Sequence, residues 1–133
     1  MSINKVKIIN IPKIMDTRGN LSFIEKNLLP YVIKRVYYLY DVPNNVNRGG
    51  HAHFEQQEFV LALSGSFDVT LIDVFGEKSV ITLNKPNEGL LIPNMIWHVL
   101  DNFSSDAVCL VLASDVHKEE DYLSDFNYFK NFK

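Results

Sequence analysis

Short runs of β-branched and aromatic residues alternate with turn signals along most of this chain, and few stretches carry the rhythm of a helix. The runs predict strands at Lys5 to Ile9, Leu21 to Glu25, Lys34 to Val42, His51 to Leu63, Phe67 to Val74, Ser79 to Leu83, Gly89 to Ile92, Trp97 to Asn102 and Ala107 to Ala113. Between them stand Arg18-Gly19-Asn20, Pro43-Asn44-Asn45, Ser64-Gly65-Ser66, Phe75-Gly76-Glu77 and Lys85-Pro86-Asn87, which read as turns. This is the pattern of a β-sandwich or barrel. The tail differs in kind. From Glu119 to Phe132, Tyr122, Leu123, Phe126 and Phe129 recur at helical spacing while Glu119, Glu120, Asp121 and Asp125 take other positions, which predicts an amphipathic helix capping one end of the barrel. No linker composition or internal repeat divides the chain. Residues 1–133 therefore read as one domain, a β-barrel over 1–115 followed by a helical tail over 116–133.

Composition narrows the class. The 133 residues suffice for one self-supporting core, and 47% hydrophobic with 22% charged residues is globular rather than disordered. The stretch after Met1 lacks a leader pattern, and no apolar run is long enough to span a bilayer, so the expectation is a soluble cytoplasmic protein without a membrane partner. A net charge of -3 argues against nucleic acid while leaving room for a local basic pocket. Cys109, alone and set in the apolar run Ala107 to Leu112, reads as a buried packing residue.

Chemistry concentrates in Arg48-Gly49-Gly50-His51-Ala52-His53. Histidines two apart on a strand share a face, and such a pair binds a metal or moves protons. On one continuous strand from His51 to Leu63 that face also carries Glu55, Gln57 and Phe59, whereas Glu58 points away unless a bulge shifts the register. A neutral amide is a poor metal ligand, so this parity favours a metal-free proton-handling pair, with Gln57 holding an imidazole or a substrate hydroxyl. Arg48 lies three residues before His51, Arg35 alternates with Tyr37, and Arg18 sits in the turn Asp16-Thr17-Arg18-Gly19. A guanidinium fork suits a phosphate or diphosphate, though each arginine also reads as an ordinary surface residue. Trp97 reads either as core or as a wall beside a sugar or base, and His98 either as a hydrogen-bonded core residue or as part of the cavity.

The spacing His51-x-His53, then Glu58, then Gly65 resembles the first motif of the cupin family, and Gly89, Pro93, His98 and Asn102 resemble its second in weakened form, with Met95 where the pattern has glycine. The resemblance implies an all-β fold, a double-stranded β-helix or jelly-roll barrel. The family pattern would make His51, His53, an acidic residue and His98 metal ligands, against the parity just described.

A narrower resemblance runs over nearly the whole chain. Lys34-Arg35-Val36-Tyr37-Tyr38, Arg48 to His53, Leu63 to Val69, Trp97-His98, Phe103 to Val108 and the Asp121-Tyr122 tail are similar to the dTDP-4-keto-6-deoxyglucose 3,4-ketoisomerases. One departure is His117, where that family leads us to expect an aromatic residue such as tyrosine and which reads as lying outside the site. The resemblance implies an isomerase acting on a dTDP-linked 4-keto-6-deoxy sugar through an enediol, without cofactor or metal. Its 3-keto product would feed 3-amino-3,6-dideoxy sugars of surface glycans such as O-antigen and S-layer glycans. It implies His51 as the base, His53 as its partner for orientation or for the oxygen-bound proton, and Tyr37 as a proton donor or enediolate stabiliser. Arg48, Arg35 and Arg18 would bind the diphosphate, and Gln57, Trp97 and His98 would line the site. It further implies a homodimer exchanging an N-terminal strand through Val6-Lys7-Ile8-Ile9, with Arg18 or Glu25 reaching the neighbouring nucleotide. A more distant likeness, through Asp16 to Gly19 and Arg48 to His51, is to the 3,5-epimerases of the same sugar; a metal-dependent or merely sugar-binding cupin is the third reading.

Overall fold

The computed structural model describes residues 1–132; Lys133, the last residue of the predicted tail, lies outside them. After a 3-10 turn at Ile3–Lys5 come β1 (Lys7–Asn10), β2 (Lys13–Asp16), β3 (Gly19–Ser22), β4 (Arg35–Leu39), β5 (Arg48–His53) and β6 (Glu58–Ser64). They are followed by β7 (Phe67–Ile72), β8 (Lys78–Leu83), β9 (Glu88–Ile92), β10 (Trp97–Asp101) and β11 (Val108–Ala113). A second 3-10 turn at Glu119–Asp121 leads into β12 (Tyr122–Leu123) and α1 (Phe126–Lys130).

Two antiparallel five-stranded sheets carry the fold, in the orders β1-β9-β6-β11-β4 and β12-β5-β10-β7-β8, while β2 and β3 form a separate hairpin. From β4 to β7 and from β8 to β11, each strand passes to the other sheet, which is the interleaving of a jelly roll. Period-two alternation builds the core between the sheets. Phe67, Val69 and Leu71 of β7 are buried while Asp68, Thr70 and Ile72 are only partly so, and the inward set meets Val60, Leu90, Ile92 and Val111 from the facing sheet. A second apolar layer covers the outer face of the β6 sheet, where Ile11 and Leu29 pack on Phe59, Leu61, Leu91 and Leu112. The all-β cupin barrel expected from the sequence is the fold observed.

The predicted strand from His51 to Leu63 is two strands in different sheets, β5 and β6, separated by residues 54–57. Its backbone donors are taken out of any ladder by side chains. Asp121 accepts from the N–H groups of Glu55 (2.9 Å) and Gln56 (3.1 Å), and Ser114 Oγ accepts from that of Gln57 (2.8 Å). The run read as Leu21 to Glu25 overlaps the second arm of the β2–β3 hairpin only at Leu21 and Ser22, and residues 23–25 are not strand; the hairpin was hard to read because both of its arms are fully exposed and show no core face.

The tail is mostly not the predicted helix from Glu119 to Phe132. Tyr122 and Leu123 are extended and pair with His53 and Ala52, leaving a helix only at Phe126–Lys130, capped by Asp125 accepting from the Tyr128 N–H. Sheet hydrogen bonds and the burial of Leu123 and Phe129 against Ala52, Val74, Met95 and Trp97 outweigh an apolar stripe too short to sustain a helix alone. At the other terminus, β1 pairs with β9 of its own chain, so Lys7 to Ile9 cover that edge without a neighbour. Among the described residues, no helix is long and apolar enough to cross a membrane.

Candidate active site

Between the two sheets lies a pocket of roughly 290 Å³, and each strand that reaches it contributes alternate residues. Arg35, Tyr37 and Leu39 come from β4, Glu58 and Val60 from β6, His98 and Leu100 from β10, Val111 from β11 and Tyr122 from β12. Strand β5 breaks the rule, since Arg48 and His51 are three apart yet both line the pocket. The glycine pair between them explains this. Gly49 and Gly50 adopt φ of 91° and 77°, and pairing with β10 jumps from His51 opposite His98 to Gly49 opposite Val99, leaving Gly50 as an extra residue. A bulge with left-handed backbone re-aims the strand, and glycine alone adopts it without strain. A Cβ on Gly49 would also sit 3.0 Å from the His98 carbonyl oxygen.

Glu58 anchors the floor. Its Oε1 lies 3.2 Å from Nε2 of His98, and its Oε2 accepts from the Tyr37 hydroxyl (2.7 Å) and from Nε2 of Gln56 (3.0 Å). Burial opposes charge on both Glu58 and His98, but their hydrogen bond and mutual attraction prevail, so the carboxyl is held below its ordinary pKa and the imidazole above. The other ring nitrogen of His98 donates to the Ile96 carbonyl at 3.0 Å. Burial, then the charge of Glu58, push the Tyr37 phenol up, which keeps its proton in place.

His51 behaves oppositely. Burial and the neighbouring His98 and His53 lower it to about 4, so at neutral pH it is an uncharged base opening on the pocket. His53 is 2% exposed and stands behind it, the two rings edge to face at 4.8 Å. Tyr122 packs against both rings, at 4.9 and 4.5 Å. At the rim, the Arg35 guanidinium lies 4.6 Å from the centre of the Tyr37 ring.

The structure thus gathers His51, Tyr37, Arg35, Arg48 and His98 around one pocket, with His53 behind them. It does not gather the rest. Gln57 is held through its backbone to Ser114 and does not line the pocket; because β5 and β6 are separate strands, parity is not carried from His53 to residue 57, and Glu58 faces inward. Trp97 faces away from its neighbour His98 and packs on Phe126 and Phe129, so it is core. Arg18 sits on the exposed hairpin, paired with Asp16 at 2.7 Å, away from the pocket of its own chain. His117 is not remote: its Nδ1 lies 3.3 Å from the Tyr122 hydroxyl and 3.5 Å from Arg35 Nη1. Glu58, Gln56, Asp121 and Tyr122 were missed as site residues. Glu58 was visible in the cupin spacing, whereas Asp121 and Tyr122 were assigned to a helix that does not form there.

With Glu58 present, the donor set of a metal-binding cupin is complete in type. Ring nitrogens of His51, His53 and His98 lie within 4.8 Å of one another. An ion bound at about 2.1 Å in tetrahedral geometry asks for about 3.4 Å between ligands. The three imidazole nitrogens, all within 4.8 Å of one another, are compatible with that spacing; what stands against a metal is that His98 and Glu58 are committed to each other, and Glu58 also to Tyr37 and Gln56.

Comparison with known proteins bears on what such a site does. The model of the FdtA family, described as WxcM-like, C-terminal, matches residues 4–133. The chain is 43% identical over 129 residues to the TDP-4-oxo-6-deoxy-alpha-D-glucose-3,4-oxoisomerase of Aneurinibacillus thermoaerophilus, covering 95% of this chain and 91% of that one. It superposes on the 3,4-ketoisomerase QdtA of Thermoanaerobacterium thermosaccharolyticum, a histidine-to-asparagine mutant in complex with TDP-4-keto-6-deoxyglucose, with a TM-score of 0.92. Identity is 34%, and the match covers 98% of this chain and 94% of that one. The dTDP-4-dehydrorhamnose 3,5-epimerase of Bacillus anthracis shares the fold alone, at 14% identity and a TM-score of 0.81 over 92% of this chain and 79% of that one. Sequence match over nearly the full length, together with the superposed fold, shows that the chain belongs to the FdtA family, whose relatives here are sugar-nucleotide 3,4-ketoisomerases.

Proposed function

We propose that this protein is a 3,4-ketoisomerase that converts dTDP-4-keto-6-deoxyglucose into a dTDP-3-keto-6-deoxyhexose. The observation that carries the reading is His51, an uncharged imidazole opening on a pocket that also holds two guanidinium groups. The 4-keto group acidifies the C3 hydrogen. His51 takes that proton, and the electron pair moves into the C4 carbonyl to leave an enediolate. A proton passes from the C3 oxygen to the C4 oxygen. The proton held by His51 then returns to C4 as the C3 oxygen becomes the ketone. Atoms and electrons balance without an oxidant.

Tyr37 is the group we assign to the developing oxyanion, since its hydroxyl keeps its proton, which it donates to Glu58 in the free protein and would turn to the enediolate when substrate is bound. His98 and Glu58 form a fixed ion pair behind it. Arg35 and Arg48 bind the diphosphate as charge-assisted forks. Incubation with dTDP-4-keto-6-deoxyglucose in heavy water, followed by NMR, should give a C3 ketone labelled at C4, where the proton returns after exchange on His51, and unlabelled at C5. Label at C5 with the ketone still at C4 would mean a 3,5-epimerase and overturn the assignment.

The working form in this reading is a one-domain, cytoplasmic homodimer, making precursors of 3-amino-3,6-dideoxy sugars for surface glycans. Because β1 is paired within its own chain, the element offered for exchange is the β2–β3 hairpin, whose Ile14 and Met15 are 55% and 68% exposed. Exchange would bring Arg18 towards the neighbour's pocket. Solution scattering should return twice the chain mass, and a monomer would remove this part of the reading.

A further inference from the structure

Among the described residues, both buried ring nitrogens of His53 lack a hydrogen-bond partner. Such groups call for a cause, because a buried polar atom is nearly always satisfied. Two carboxylates stand beside them. Asp121 Oδ2 lies 3.5 Å from Nδ1, and Glu58 Oε1 lies 3.8 Å from Nε2. The two differ in how committed they are. Glu58 is spoken for by His98, Tyr37 and Gln56. Asp121 is held from behind by the N–H groups of Glu55 and Gln56, and its main-chain oxygen accepts from the Phe54 N–H at 3.0 Å, so its carboxylate is fixed in position with lone pairs to spare.

We propose that Asp121 is a positioning residue that acts through His53, holding the ring as the Nδ1–H tautomer and fixing the wall against which His51 works. This rests on the reading of the site as that of a ketoisomerase. A neutral imidazole has one donor and one acceptor, and which nitrogen keeps the proton is set by the acceptor offered to it. The carboxylate at Nδ1 fixes the choice. Nε2 then bears the lone pair, and the ring stands edge-on to His51 at 4.8 Å while Tyr122 covers both. The arrangement also accounts for the tail leaving its 3-10 turn at Asp121 to run extended at Tyr122–Leu123, which keeps the carboxylate beside both the 54–56 segment and His53.

Asp121→Asn separates this role from a merely structural one. The amide oxygen can keep the Glu55 N–H, while the amide NH₂ now donates to Nδ1 and drives His53 to the Nε2–H tautomer. The expected result is a kcat lowered about tenfold to a hundredfold with KM within about twofold, the range in which a misplaced general base falls. Asp121→Glu, which restores the charge, should recover part of the loss. Histidine ¹⁵N NMR reads the tautomer directly. In the unsubstituted protein His53 should carry its proton on Nδ1, and an Nε2–H tautomer there overturns the proposal even if every variant fails to fold. An unchanged His53 signal in a folded Asp121→Asn protein, or a loss confined to thermal stability with kcat intact, overturns it equally. Failure of the ketoisomerase assay alone would strike the functional reading and leave the tautomer result standing.

Discussion

His51 and His98 sit opposite one another on adjacent strands, their rings 4.9 Å apart, yet they are driven in opposite directions. On the pocket wall, burial and like charges lower His51 to about 4; at the buried rear, Glu58 outweighs burial and holds His98 above its ordinary value. One residue type therefore serves as a neutral base in front and, behind, as an imidazole whose cationic form Glu58 favours. What decides is the distance to a single carboxylate, so the rear sets the charge in which the front works.

The front should be the more sensitive to substitution. His51→Asn removes the base and should lower kcat by about a thousandfold, within the range for loss of a positioned general base. Steady-state kinetics on dTDP-4-keto-6-deoxyglucose, with circular dichroism to show that the fold is retained, checks it. The pH profile follows from the same shift. The base is unprotonated above about 4, so kcat/KM should hold level from neutrality downward and fall only as His51 takes a proton near that value.

Glu58→Gln tests the rear. It removes the charge that raises His98 while leaving the shape, and should lower kcat about a hundredfold and stability by about 3 kcal/mol, as expected when one partner of a buried pair is removed. Denaturant titration across pH gives a signature. Glu58 has its folded pKa below the ordinary 4.5, so its contribution is present above that and is lost as pH falls through the folded value. His98 has its folded pKa above the ordinary 6.5, so its contribution is present below that and is lost as pH rises through the folded value. The ion pair should therefore stabilise most between about pH 4.5 and 6.5, and Glu58→Gln should flatten that maximum.

Front and rear were not equally legible in the sequence. Period-two alternation and glycine-marked turns give most of the strands of the barrel, and they place Tyr37 with Arg35 correctly because β4 is one regular strand. Arg48 and His51 were paired by proximity in the chain, and the bulge at Gly49-Gly50 makes the pairing real. The rear failed because face parity was extended through residues 54–57, where the chain changes sheets. Parity is a property of one strand and ends with it. Asp121 was unreadable for a related reason: helical spacing of Tyr122 and Phe126 is also compatible with a strand followed by a short helix, and only the pairing with His53 decides. Trp97 was open between core and site, and the core under α1 claims it.

Arg48→Ala, at the pocket mouth, should act on binding rather than chemistry. Loss of one charge-assisted contact to a diphosphate should raise KM about tenfold with kcat within about twofold. The inhibition constant of dTDP, measured on the same variant, should rise in parallel; an unchanged constant would place the diphosphate elsewhere and leave Arg48 to the sugar.

The smallest expected effect sharpens the contrast most, because it separates two adjacent glutamines. Gln56 is buried and its amide donates to Glu58 at 3.0 Å, so it belongs to the rear; Gln57 turns away, held by its backbone to Ser114. Gln57→Ala should leave kcat and KM within about twofold, since its main-chain bonds survive. Gln56→Ala leaves Glu58 one donor short and should lower kcat about tenfold, in line with the loss of a hydrogen bond to a charged group. Continuous parity from His53 predicts the reverse order, so the pair of variants asks directly whether the strand ends at His53. If Gln57→Ala is the damaging substitution, β5 runs on through residue 57, Glu58 leaves the pocket, and the charge that distinguishes His98 from His51 has no source.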